Sequence, residues 1–281
     1  MSPLSGRQSR KPAPAGPAAK SIVKPAGKTS GKTSGKTPAE ISGKTPGKIL
    51  GKTSAKAEET DALCMACGTC CRKGGPTLHQ QDLTLISAGV LPCRALLSLR
   101  IGELVHNEIQ GGLVPLPAEC IKVAGQGASW ICTFWQADTS ACSIYAQRPA
   151  QCRALFCRDN TALLALHAQP RLSRAEVLPL FSPNWSMLAE AHEERCAWHR
   201  LAPLALGPLD SAASQALLEA VRFDLAFREL AQERAGVPAE ALPLLFGRPL
   251  RDLLPDFGLA VEHVAGEPAG LVRSGLCHYN I

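Results

Sequence analysis

The sequence lacks the long apolar runs that would place it across a membrane. No stretch of its 281 residues approaches the roughly 18 uninterrupted apolar residues of a membrane-spanning helix. No apolar segment of about 7–15 residues follows Met1, so the pattern of a secretory signal is also missing. We therefore expect a cytoplasmic protein in a reducing compartment, where structural disulfides are rare.

Two signatures of common hydrolases are missing as well. The chain contains no Gly-x-Ser-x-Gly motif, which marks a serine nucleophile, and no paired-carboxylate pattern. The sequence therefore gives no direct sign of catalysis, and it leaves open whether the protein is an enzyme.

Residues 1–57 lack Phe, Trp, Tyr and Cys entirely. They hold twelve Lys or Arg residues against one acidic residue, whereas residues 58–281 hold 18 basic and 23 acidic residues. Gly-Lys-Thr recurs here, but without the earlier glycine and the preceding strand of a phosphate-binding loop. Such a segment cannot bury enough apolar surface to order itself, so we predict a disordered tail. It is either a solvated linker or a segment that binds nucleic acid or another polyanion.

Cysteine, in contrast, is abundant, and its spacing is the main signal in the sequence. The chain has twelve cysteines, and four of them fall within eight residues: Cys64, Cys67, Cys70 and Cys71. Thiols this dense indicate a disulfide framework or a bound metal, and a reducing compartment favours the metal. Gly68 lies among them and fits a tight turn in which backbone N–H groups turn towards sulfur.

A second group of thiols lies further along the chain. Cys132 and Cys142 fall in two segments rich in β-branched and aromatic residues, and residues 136–140 between them predict a hairpin loop. Cys152 and Cys157 follow Pro149, which suits the first turn of a helix. A hairpin beside a helix start would bring these four thiols towards the first group.

The eight thiols suffice for two four-cysteine sites or for one polynuclear site. Sulfur-only ligation suits zinc or iron, including an iron–sulfur cluster, and the sequence does not separate these metals. Neighbouring side chains of an extended chain point to opposite faces. We therefore expect the vicinal Cys70 and Cys71 to serve different metals, or one of them to bridge.

Several helices are predicted outside the cysteine groups. Thr77 and Gln80 suit a capping box for a helix over 78–88. Pro92 suits the start of a short helix over 92–99, and residues 210–235 give the clearest helical pattern, with Gly236 as its C-cap.

One predicted helix carries a further pair of candidate ligands. Residues 172–200 read as helix with a break at Pro183. Cys196 and His199 lie three residues apart near its end, so they would share one helix face and could chelate a metal as additional ligands.

In combination, the cysteines follow a known pattern. The chain resembles the CxxCxxCC cysteine-cluster family, also called YkgJ-like and described as a zinc- or iron-chelating domain, in Cys64-x-x-Cys67-Gly68-x-Cys70-Cys71, Cys132, Cys142-Ser143-Ile144-Tyr145, Arg148-Pro149 and Cys152-Arg153-x-x-x-Cys157. The resemblance covers about residues 62–160. It implies a small metal-binding domain, often named loosely as an iron–sulfur oxidoreductase, and no known reaction.

These patterns predict an α+β protein with three regions. They are a disordered basic tail over 1–60, a small loop-rich, metal-stabilised cysteine-cluster domain over 61–200 and a helical region over 201–281. We expect a metal-binding protein whose partner is a zinc or iron ion. The alternatives are an iron–sulfur oxidoreductase or electron carrier, and a zinc module whose basic tail binds nucleic acid.

Overall fold

The computed structural model describes residues 67–107 and 111–274. The predicted tail, Cys64 and the C-terminal Cys277 lie outside the described residues. The α-helices are α1 Thr69–Lys73, α2 Leu83–Ser87, α3 Ala150–Ala154, α4 Thr161–His167, α5 Arg174–Val177, α6 Trp185–Cys196, α7 Trp198–Leu206, α8 Ser211–Ala235, α9 Leu242–Phe246 and α10 Leu250–Leu253. Short 3₁₀ helices lie at Gln80–Asp82, Cys93–Ala95, Tyr145–Gln147, Leu178–Leu180, Ala239–Ala241 and Leu254–Phe257. None of the described helices has the length and apolar character needed to cross a bilayer.

The strands of the described residues form four two-stranded antiparallel sheets, which confirms the α+β class. Their sequential order is β1 Leu96–Leu99, β2 Leu104–His106, β3 Leu113–Pro115, β4 Cys120–Val123, β5 Trp135–Gln136, β6 Ala141–Cys142, β7 Leu259–Val264 and β8 Glu267–Arg273. The pairs are β1 with β4, β2 with β3, β5 with β6, and β7 with β8.

The helix predicted over 92–99 is wrong. Pro92 precedes a 3₁₀ helix, and Leu96–Leu99 then form a strand in which all four residues are buried. This strand pairs with β4, so that Leu96 faces Val123 and Leu99 faces Cys120. A strand buried on both faces reads as a continuous apolar run, which periodicity alone cannot separate from a short buried helix.

The helix predicted over 78–88 begins later than expected and with a different cap. The capping box is formed by His79 and Asp82, not by Thr77 and Gln80, and it starts a 3₁₀ helix that leads into α2. The Asp82 side chain is fully buried. A buried carboxyl group requires hydrogen-bond donors around it, so this position constrains the fold more than an exposed cap would.

The main hydrophobic cluster connects the cysteine region to the C-terminal region. Leu78, Ile121 and Leu172 are fully buried in it, and Cys132 and Trp135 belong to the same cluster. From the C-terminal side it includes Ala231, Val237, Ala241, Leu244, Leu245 and Phe246. The cluster thus draws residues from both sides of position 200, where the sequence predicts a domain boundary.

Helix α8 confirms the helix predicted over 210–235. Asp210 caps it by accepting a hydrogen bond from Ala213 N at 2.8 Å, and Gly236 ends it with a φ of 64°. The helix buries Asp224 and Arg228 as well as Leu217 and Leu218, whereas Leu230 is 50% exposed.

Asp224 of α8 is the centre of a buried polar network. Its Oδ1 lies 2.7 Å from His192 Nε2 on α6 and 2.8 Å from Arg228 Nε, and its Oδ2 accepts from Leu250 N at 2.8 Å. His192 and Asp224 are both fully buried. The network therefore ties three helices together, and removing one member would leave buried polar groups unpaired.

Stability should fall in mild acid because of His192. Burial lowers the pKa of this histidine, and the nearby Arg228 and Arg100 lower it further against the attraction of Asp224. The folded protein therefore keeps the ring neutral, while the unfolded chain takes up a proton near the ordinary pKa of 6.5. The free energy of unfolding should drop by at most about 1.4 kcal/mol per pH unit below that value from this one group.

The measurement is urea denaturation between pH 7.5 and 5.0 for wild type and His192→Gln. The variant should be less stable at pH 7.5 and should show a weaker loss of stability in acid. His263→Gln, at an exposed position of β7, serves as the control and should keep the wild-type slope. Equal slopes for wild type and His192→Gln would contradict the prediction.

Candidate metal centre

The described cysteines of the first group, Cys67, Cys70 and Cys71, lie on a tight turn that leads into α1, which we call the knuckle turn. Gly68 has φ 70° and ψ 0°, a left-handed conformation that glycine adopts without strain. A Cβ atom added at Gly68 would collide with the indole ring of Trp135. Glycine is therefore required here both by backbone conformation and by the close approach of the second cysteine region.

The vicinal thiols are placed differently from the prediction. Cys70 and Cys71 lie in the helical segment Thr69–Lys73, not in extended chain, and their Sγ atoms are 3.9 Å apart. Four sulfurs at about 2.3 Å from one tetrahedral ion lie roughly 3.8 Å from each other. The two sulfurs therefore have the spacing of ligands to a single ion. The expectation of different metals, or of one bridging thiol, rested on an extended chain that the structure does not show here.

The second group joins the first through the main chain. Cys132 N donates to Cys71 O at 2.8 Å, which fixes the two segments side by side. The side chain of Gln126 donates to the carbonyl oxygens of Cys132 at 3.0 Å and of Trp135 at 2.6 Å, and so holds the chain as it enters the hairpin.

The predicted hairpin and helix start are both confirmed. Strands β5 and β6 pair with Trp135 opposite Cys142, and residues 137–140 connect them. Pro149 directly precedes α3, which carries Cys152 as its third residue. Cys157 follows this helix and is exposed. These elements bring thiols from the hairpin and from α3 to the face where the knuckle turn lies.

All seven described members of the predicted ligand set line one cavity of about 80 Å³. They are Cys67, Cys70, Cys71, Cys132, Cys142, Cys152 and Cys157. A single water molecule requires about 10–15 Å³ of cavity volume measured in the same way, so the cavity has room for more than one ion. The remaining walls are mostly apolar, with Phe134, Trp135 and Ile144 among them.

The deeper thiols lie in surroundings that disfavour thiolates. Burial raises the pKa of Cys71 to about 12, and the neighbouring Cys70 adds to this. Burial is also the first cause that raises the pKa of Cys132 and of Cys152. Thiolates this close together in an apolar cavity repel each other, so a cation among them would supply the missing compensation.

The rim of the cavity is more exposed and carries basic side chains. Cys67 is exposed, and the Thr69 hydroxyl 3.4 Å from its sulfur lowers its pKa. Arg148 and Arg158 line the cavity, whereas no Asp, Glu or His among the described residues does. Arg148 Nη1 also donates to Tyr145 O at 3.0 Å, so it stabilises its own loop.

The predicted pair of additional ligands does not form one chelating face. Helix α6 ends at Cys196, and α7 begins at Trp198, so Cys196 and His199 lie on different helices. Cys196 is fully buried and His199 is exposed. Neither residue lines the cysteine cavity. The sequence pattern failed here because a three-residue spacing marks a shared face only within a continuous helix.

Cys196 instead belongs to a buried group with His192 and Asp224, whose ligand atoms lie within 4.8 Å of one another. Among the described residues, this is the one His/Cys/Asp/Glu group that satisfies that spacing. However, hydrogen bonds from Arg228 and Leu250 already occupy the carboxylate of Asp224. A cation would also face the Arg228 guanidinium, so we interpret the group as a structural network.

Comparison with known families agrees with the cysteine geometry. Residues 63–167 match the CxxCxxCC family, whose description is "Putative zinc- or iron-chelating domain". We refer to residues 63–167 below as the CxxCxxCC domain, after the family model that they match. The match spans the knuckle turn, the hairpin and α3, and it ends with α4. Neither a curated protein nor a solved structure matches the chain.

Two residues that position the cysteine segments, Asp82 and Gln126, were not predicted from the sequence. Asp82 and Gln126 bind main-chain groups of the cysteine segments from elsewhere in the chain. Neither lies in a recognisable motif, because each contact joins residues that only folding brings together. The one available signal is Asp82 itself, an acidic residue near the start of a predicted helix.

Gly68→Ala should destabilise the CxxCxxCC domain and weaken the contact between the knuckle turn and Trp135 of the hairpin. The substitution forces alanine into a left-handed φ and places its Cβ against Trp135. We expect the free energy of unfolding to fall by about 1–3 kcal/mol, measured by urea denaturation.

Gly89→Ala is the matched control. Gly89 has a similar φ of 74°, and an added Cβ would meet nothing within 4 Å. The control carries the backbone strain without the collision, so its loss should be smaller. Equal losses in the two variants would show that the contact with Trp135 contributes nothing.

Proposed function

We propose that the CxxCxxCC domain binds zinc or iron through its cavity cysteines, and that metal binding is the function of this protein. The observation that carries the proposal is the convergence of seven thiols, from three separate segments, on one small cavity. Hydrophobic packing alone gives no reason for seven thiols to line a single cavity, because other small apolar side chains would fill the same space.

The donor set fits the proposed metals. Thiolates are the ligands that zinc and iron–sulfur clusters share, and the cavity walls offer sulfur together with apolar groups. Cys67, Cys70 and Cys71 would supply the first half of the ligands, and Cys132, Cys142, Cys152 and Cys157 the second. Cys64 lies outside the described residues, and its place as the eighth ligand remains a prediction.

A structural or storage role is the form of this function that the lining favours. Within residues 67–107 and 111–274, the cavity presents no carboxylate or imidazole that could act as a general acid or base. A bound ion would join the knuckle turn, the hairpin and α3, and so stabilise a region with short secondary-structure elements.

An iron–sulfur redox centre is the second candidate. Its support is the sulfur-rich lining with aromatic and apolar walls and with arginines at the rim, a setting that suits an anionic cluster. Such a cluster would supply one-electron chemistry, while the cysteines hold it and the apolar walls limit access of water.

The cytoplasmic location and the binding of nucleic acid by residues 1–57 remain predictions. The ten described cysteines are free thiols, which is the state expected in a reducing compartment.

The decisive test is metal analysis of the full chain purified without oxygen, together with its visible spectrum. Stoichiometric zinc in a colourless protein would support the structural role. A brown protein with iron and acid-labile sulfide would support the redox role. A protein without zinc or iron, and unable to take up either, would refute the proposed function.

Replacing a cavity cysteine should lower metal binding, whereas replacing a cysteine elsewhere should not. We expect Cys132→Ser to reduce affinity for zinc at least about tenfold, measured by competition with a chromophoric chelator. Cys93→Ser is the matched control, because Cys93 packs against the same hydrophobic cluster as Cys132 but does not line the cavity. Equal affinity in both variants would exclude Cys132 as a ligand.

A further inference from the structure

The buried carboxyl group of Asp82 connects two distant parts of the CxxCxxCC domain. Its Oδ2 accepts from His79 N at 3.0 Å, which closes the local capping box. Its Oδ1 accepts from Ala150 N at 2.8 Å, and this bond spans 68 positions in the sequence. Both donors are buried main-chain groups, so the carboxyl group satisfies two N–H groups that would otherwise lack partners.

The distant bond holds the start of the helix that carries Cys152. Pro149 has no N–H group, so Ala150 N is the first main-chain donor of α3. The next residue is held as well, since Gln151 Oε1 accepts from Thr77 N at 2.5 Å. Both residues directly before Cys152 are thus anchored to the segment that follows the knuckle turn.

This arrangement fixes where Cys152 lies relative to the first group of thiols. The knuckle cysteines are joined to the second group by the bond between Cys71 O and Cys132 N, but that bond does not constrain α3. Helix α3 has five residues, too few for its position to be set by its own stability. Its anchors to residues 77–82 therefore set the position of the Cys152 sulfur at the cavity.

We propose that Asp82 is a positioning residue for the metal centre, which aligns Cys152 with the other thiols through Ala150. The inference rests on the proposed function, because it assigns Cys152 as a ligand. Asp82 does not line the cavity, so we do not assign it as a ligand. It acts through the main chain of α3.

Asparagine at position 82 has nearly the same shape but cannot accept both hydrogen bonds. Asp82 offers two acceptor oxygens to two N–H donors, whereas an amide offers one oxygen and one NH₂ group. In either orientation of the amide, one main-chain N–H would face another donor. Asp82→Asn should therefore release either the local turn or α3 with little change in side-chain volume.

The test compares zinc-loaded full-length wild type with Asp82→Asn. Each protein is treated with N-ethylmaleimide, and modification is measured at each cysteine by mass spectrometry. We expect Cys152 to become reactive in the variant while Cys70, Cys71 and Cys132 stay protected. Affinity for zinc should fall about 10–100-fold, as it does when groups that orient metal ligands are changed.

Glu176→Gln is the matched control. Glu176 forms the other carboxylate capping box of this region with Ser173, and that cap starts α5 rather than α3. Loss of this cap should lower stability without selective exposure of Cys152. The comparison separates an effect on one ligand from general loosening of the domain.

The outcomes distinguish this inference from the function on which it depends. If wild type takes up no metal, the proposed function fails, and the inference fails with it. If wild type binds zinc with Cys152 protected and Asp82→Asn behaves identically, only the inference fails. Uniform reactivity of all cavity cysteines in the variant would also overturn it, because selective positioning would then be absent.

A second variant decides the matter if Asp82→Asn does not fold. Gln151→Ala removes the bond to Thr77 N and leaves Asp82 intact. It should raise the reactivity of Cys152 in the same selective way, with a smaller loss of zinc affinity. Wild-type protection of Cys152 in a folded Gln151→Ala protein would then count against anchoring of α3 as the cause.

Discussion

The hydrogen bond between Cys132 N and Cys71 O, 2.8 Å long, is the contact on which the cavity depends. Main-chain groups of the two cysteine segments meet directly, so this bond fixes the segments side by side. Gly68 allows Trp135 to approach beside this contact, and Asp82 brings α3 to the same place. The antiparallel pairing of β1 with β4 supports the chain that connects the two cysteine groups.

The parts of the fold that sequence could predict are those encoded by neighbouring residues. The turn at Gly68, the hairpin between Cys132 and Cys142, and α3 after Pro149 each carry a local signal, and the structure confirms each of them. The capped helix α8 belongs to the same class. The spacing of the cysteines also predicted the seven described thiols that line the cavity.

The errors at Leu96–Leu99 and at the buried carboxylates originate in contacts between distant residues, whereas the error at Cys70 and Cys71 is one of local conformation. Leu96–Leu99 form a strand because β4 pairs with them, and nothing within those four residues reveals a partner. Cys70 and Cys71 lie in a helical turn rather than in extended chain, so their sulfurs are close enough to bind one ion. The buried carboxylates Asp82 and Asp224 resemble surface residues in sequence, yet each satisfies donors from two separate segments.

The hydrophobic cluster that reaches from Leu78 to Phe246 shows that the segment matched by the family model differs from the segment that packs as one core. The recognisable family sequence ends at residue 167, but Cys132 and Trp135 pack in a cluster whose other side comes from α9 and its neighbours. A fragment cut at the end of the family match would expose that apolar surface to water. The segment that matches the family model is therefore shorter than the segment that must fold to keep the cysteines in place.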